Sequence, residues 1–203
     1  MSAEDDTKHI DKQNNTNEEQ EKRVIPSIYV ASLSDYVGGR LHGCWIRADQ
    51  EDEKIFEAIR QMLKQSPNPL EAEGYAIHDY EGFGSLKLDE YDDIKQVAAA
   101  ARNITEYGEP FAVWASLMGL TDASSENAYE KFSECYQGEY ESPESYAEEM
   151  LDSCGMDIMI YKDIPDNLRC YIKVDYEAFV RDLECENTEF YDNDDGKVFV
   201  FCW

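Results

Sequence analysis

Basic side chains are scarce in this chain of 203 residues, where 18 Lys and Arg stand against 45 Asp and Glu for a formal net charge of −27 at pH 7. That balance excludes a phosphate-neutralising surface, so no nucleic acid is expected to bind directly. Long apolar runs are also missing. The longest candidate, residues 111–120, has only ten residues and contains Ser116 and Gly119, too short and too polar to span a membrane. Residues 1–23 have no apolar signal core, so nothing directs the chain to secretion and a cytoplasmic location is expected. Histidine is rare: His9 lies in the polar N-terminus, and His42 and His78 have no metal-ligand or triad context beyond the adjacent Asp79. Six cysteines (Cys44, Cys135, Cys154, Cys170, Cys185, Cys202) never approach the spacing of zinc knuckles or redox motifs, and reduced thiols are expected.

Phosphate-loop signals are incomplete. Gly82-Phe83-Gly84 lacks the third glycine of a dinucleotide loop, and Gly196-Lys197 lacks both the upstream glycine and the Ser or Thr of a phosphate loop. Asp192 to Gly196 superficially follows a calcium loop, yet Tyr191 and Cys202 occupy its first and twelfth ligand positions, which makes a hairpin turn the expectation. No catalytic residue, metal ligand or cofactor site is expected.

What the chain has is hydrophobic content for a core, at 42% with 12% aromatic, and acid concentrated in one region. Residues 1–25 carry seven acids and four bases, so the charge belongs to the ordered part. Residues 96–160 are the most one-sided, with 13 acids and two bases.

Residues 1 to about 24, rich in Asn, Gln, Glu and Lys, read as a disordered leader. β-prone segments at 28–33 and 42–48 flank a Gly38-Gly39 turn and predict a hairpin. Asp49 as N-cap, acids in the first turn, and Ile55, Phe56, Ile59, Met62 and Leu63 at helical spacing predict a helix stopped before Pro67. A strand over 75–80 completes a β-β-α-β unit. Further helices are predicted over 89–107, 110–117, 124–137 and, from the Ser142 cap and Pro143, to Gly155. Beyond lie a strand near Met159, a short helix after Pro165, a helix over 176–184 and a hairpin turning at Asp194-Asp195-Gly196.

Glu126, Glu130 and Glu134 recur every four residues, as do Glu144, Glu148 and Asp152, so each set predicts a carboxylate stripe about 6 Å apart along a helix. Like charges so placed destabilise a helix by about 0.2–0.5 kcal/mol per pair, and only Lys131 offers relief nearby. Either the stripes are solvated faces or a partner compensates them. Duplex DNA carries one charge per roughly 1.7 Å, so the charge outside the leader equals that of about 40 Å of duplex. A compact chain of this length is also roughly 40 Å across. An acidic partner-binding protein follows, with an acidic calcium-binding protein and a small hydrolase using paired acids such as Asp92-Asp93 as alternatives.

Several stretches agree in order with one family. Ile28-Tyr29-Val30-Ala31, Gly43-Cys44-Trp45, the run Glu73-Gly74-Tyr75-Ala76-Ile77-His78-Asp79-Tyr80-Glu81, and later Ile164-Pro165, Tyr171-Ile172, Asp175-Tyr176, Ala178 and Arg181-Asp182-Leu183 together resemble the ArdA antirestriction family over residues 27–203. The resemblance implies an inhibitor, not an enzyme, that imitates bent double-stranded DNA, occupies the groove of type I restriction-modification enzymes and needs no cofactor. It implies an α+β fold of three small domains in an elongated, curved arrangement, here 26–86 (α+β), 87–156 (acidic, helical) and 157–203 (α+β) after the 1–25 leader. The partner-binding acids expected from the spacing above are Glu126, Glu130, Glu134, Glu144, Glu148 and Asp152. A homodimer contact is implied through Tyr161, Ile164, Leu168, Tyr171 and Ile172. The leader departs from the family pattern, and Lys173-Val174 lengthens the junction between Tyr171-Ile172 and Asp175-Tyr176.

Overall fold

A computed structural model describes residues 24–69, 74–155, 159 and 161–203. The expected leader lies outside these residues except for Val24 and Ile25. β1 (Ser27–Ser32) forms the centre of a three-stranded antiparallel sheet, between β2 (Gly43–Arg47) and β3 (Tyr75–Glu81). Ile28 and Val30 are fully buried on its inner face, while Tyr29 sits opposite Trp45 and Asp79 on the outer one, as the two-residue period of a strand requires. The connection from β1 to β2 contains a helical turn, α1 (Leu33–Val37), because the Ser32 hydroxyl accepts the Asp35 N–H and caps it.

Helix α2 (Asp52–Lys64) buries Ile55, Ile59 and Met62 and packs on β2. Asp49, expected as its cap, is instead drawn to Arg47 at 2.8 Å, and Glu51 takes the cap position. The next helix, α3 (Ile94–Tyr107), starts later than the expected Asp89. Asp92 accepts the Asp89 N–H at 2.8 Å, closing a turn, and Asp93 caps the helix through the Lys95 N–H. Gly108, at φ 78°, ends α3 as expected and leads into α4 (Glu109–Met118).

The stretch 124–137, expected as a single helix, is divided. A short α5 (Leu120–Ala123) ends where the Ser124 and Ser125 hydroxyls donate to the carbonyls of Thr121 and Asp122. A turn follows, then α6 (Ala128–Cys135), and the chain continues directly into a strand, β4 (Tyr136–Tyr140). Long-range pairing overrides helix propensity here. The terminal hairpin of β5 (Thr188–Asp192) and β6 (Val198–Cys202) offers an edge, and β4 takes it with Tyr136 opposite Phe201, giving a second antiparallel sheet of order β4-β6-β5.

β6 is buried on both faces. Phe199 and Phe201 join the larger core, which runs from Ile28 and Ile59 through Val97, Phe111 and Trp114 to Phe132. Val198 and Val200 face a smaller core with Tyr146 and Ala147 of α7 (Pro143–Ser153). After α7 in the chain, α8 (Asp166–Arg169) precedes α9 (Tyr176–Cys185), which adds Val180 and Leu183 to that smaller core. Of the strand expected near Met159, residues 156–158 and 160 lie outside the described residues. The Met159 N–H returns to the Gly155 carbonyl at 3.3 Å, a helical bond, and Met159 and Tyr161 are helical. The chain is α+β, with both sheets antiparallel.

Candidate partner-binding surface

Six acids were singled out by spacing, and all six side chains are exposed. Glu130 and Glu134 lie on α6, whose opposite side buries Ala128, Phe132 and Cys135. Glu126 does not continue their stripe, because it falls in the turn that Ser124 and Ser125 begin. Lys131, the one cation available to relieve this stripe, is held away from it by Asp122 at 2.6 Å. Glu144, Glu148 and Asp152 lie on α7, which turns Tyr146 and Ala147 inward. A reciprocal Ser142–Ser145 cap with Pro143 in the first turn fixes where that helix begins. The Glu144 carboxyl is held below its ordinary range by its own backbone N–H, then by Ser142. Among the described residues, no ion pair engages any of the six.

A second acidic group was not foreseen from sequence. At one end of the second sheet, Glu109 faces Asp194, Asp195 and Glu139. Its carboxyl is pushed up chiefly by burial and then by those carboxylates. Beside it, Lys197 lies 3.2 Å from Glu141 and 3.9 Å from Glu139, and Asn193 donates to Glu139 at 2.9 Å. The only sequence signal was the acidic turn at 194–195, since Glu109 and Glu139 are brought there by folding.

The candidate contact between copies is largely apolar. Leu168, Tyr171 and Ile172 are exposed, Tyr171 at 80%, while Tyr161 and Ile164 are half-buried. Arg169 Nε donates to the Ile164 carbonyl at 3.1 Å and ties α8 to the preceding turn. Lys173 and Val174 line a shallow hollow with Asp175, Tyr176 and Glu177 at the start of α9 and Glu144 of α7.

Both described histidines are engaged within the fold. His42 Nε2 meets the Met62 carbonyl at 2.7 Å, and His78 packs edge-on against Tyr36. All six cysteines are free. Among the described residues, no three His, Cys, Asp or Glu side chains are grouped as a cation site needs, and no helix is long and apolar enough to cross a membrane.

Among the described residues these carboxylates stand exposed and without ion pairs, five of them on helices whose other sides are anchored in a core, and they define an acidic α+β protein. Residues 28–195 match the family model described as antirestriction protein (ArdA), and the chain belongs to that family of inhibitor proteins. Family membership implies antirestriction and interaction with restriction enzymes. No curated protein matches the chain.

Proposed function

We propose that this chain blocks a type I restriction-modification enzyme in the bacterial cytoplasm by occupying its DNA-binding groove in place of duplex DNA. It acts without cofactor and without chemistry of its own, as a homodimer joined through Tyr161, Ile164, Leu168, Tyr171 and Ile172. The observation that carries the reading is the display of Glu126, Glu130, Glu134, Glu144, Glu148 and Asp152, exposed and without an ion-pair partner among the described residues, on a chain at −27. A groove lined by Lys and Arg supplies the missing counter-charges, and opposite charges speed the encounter.

Competition tests this directly. Added to a purified type I methyltransferase core bound to labelled duplex, the protein releases the DNA, and release weakens as salt rises. A stable ternary complex of enzyme, DNA and protein overturns the proposal. The dimer has its own test. Leu168→Asp together with Tyr171→Asp places charge in the exposed apolar segment and weakens self-association by about a hundredfold in sedimentation, as loss of two central anchors does. Unchanged sedimentation of the double variant removes this segment from the dimer contact.

A further inference from the structure

On a chain this acidic, one exposed element carries no net charge and is apolar. The connection from β1 to β2 presents Tyr36, Val37 and Leu41 at 57%, 86% and 71% exposure. Its two charged side chains, Asp35 and Arg40, neutralise each other at 3.1 Å. Isolated exposed apolar residues are ordinary, but three at one tip are not.

The tip is also held rigidly. Asp35 is fully buried, takes the Ser66 hydroxyl at 2.6 Å from the end of α2, and takes Arg40 Nε and Nη2 at 3.2 and 3.1 Å. The Arg40 N–H returns to the Asp35 carbonyl at 2.8 Å and the Ser32 N–H reaches the His42 carbonyl at 2.8 Å. Gly39, at φ 75° with open space around it, supplies the left-handed residue that reverses the chain. A buried carboxylate that fixes an exposed apolar loop does little for a core. It does lower the ordering entropy of a contact made by that loop.

We infer that Tyr36, Val37 and Leu41 form a second, uncharged contact that enters an apolar recess on the same basic partner that receives the acidic surface. The inference rests on the reading under Proposed function. Charge complementarity selects this occupant: a chain at −27 gathers basic partners close to its surface, where an apolar contact can then form. A second copy is already assigned a different contact, the one through Tyr161, Ile164, Leu168, Tyr171 and Ile172. The tip thus contributes affinity that salt does not screen, whereas the carboxylates contribute affinity that salt removes.

The experiment measures affinity of the full chain for a purified type I methyltransferase core across a salt series, for the wild type and for Val37→Ser with Leu41→Ser. Both positions are exposed, so folding is retained. The expected result is a loss of about tenfold in affinity at every salt concentration, with the slope of log affinity against log salt unchanged. Equal affinity of variant and wild type overturns this inference alone. A dimer lost by the double variant in sedimentation also overturns it, by giving the tip to a second copy. No binding by the wild type overturns the underlying reading and this inference with it.

Discussion

Replacing Glu126, Glu130, Glu134, Glu144 and Glu148 by Gln and Asp152 by Asn lowers affinity for the methyltransferase core by about two orders of magnitude while raising the melting midpoint. An exposed ion pair is worth about 0.5 kcal/mol, so six lost pairs amount to roughly 3 kcal/mol of binding. The stability change has the opposite sign. Glu130–Glu134, Glu144–Glu148 and Glu148–Asp152 are like-charge neighbours on α6 and α7. Relieving them returns a total of about 1 kcal/mol, part of which is offset by losing Glu130 and Glu144 from the first turns of α6 and α7, so the midpoint rises by about 1–2 °C. Glu126 separates the two effects, since it lies in the turn before α6. Glu126→Gln alone weakens binding and leaves the midpoint where it was. The salt dependence of binding should flatten as acids are removed, which a titration at several ionic strengths measures. Unchanged affinity of the six-fold variant, or a midpoint that falls with affinity, refutes a partner-facing role for these carboxylates.

The stripes could be read from sequence because a four-residue period places side chains on one side of a helix wherever that helix lies. What the period could not give was continuity. Glu126 fits the spacing as well as Glu130 does, yet Ser124 and Ser125 bond back to α5 and place it outside α6. The strands of the first sheet were equally legible, since β-prone residues along 28–33 and 42–48 are a local signal, although the helical turn α1 between them was not. β4 was not legible: Tyr136 to Tyr140 follows a helix without a break, and its strand state depends on β6, some sixty residues away. The acidic group around Glu109 shares that cause, because its members come from α4, β4 and the terminal turn. Only the assembled second sheet puts them side by side. Nothing local distinguished Asp35 from the many other acids. Its burial follows from the cap at Ser32 and from Ser66, thirty-one residues later.

Asp35→Asn lowers the melting midpoint by about 5 °C, as loss of charge-assisted hydrogen bonds to a buried carboxylate does in a chain of this length. The amide keeps the shape but cannot receive both Ser66 Oγ and Arg40 as the carboxylate does. The Ser66 hydroxyl, and after it Ser32 and Arg40, hold the Asp35 carboxyl below its ordinary value of 3.8, while burial acts the other way. A carboxyl lowered in the folded state contributes stability that is fully present above 3.8 and is lost as pH falls through the folded value. Wild-type midpoints should therefore decline below about pH 4 more steeply than those of Asp35→Asn, and the two curves should converge in acid. Thermal melts between pH 3 and 7 measure both. Parallel curves across that range refute an ionised Asp35 as the group that fixes the tip. The same variant loosens Tyr36, Val37 and Leu41 without altering them, so its affinity for the partner should fall even at temperatures where it remains folded.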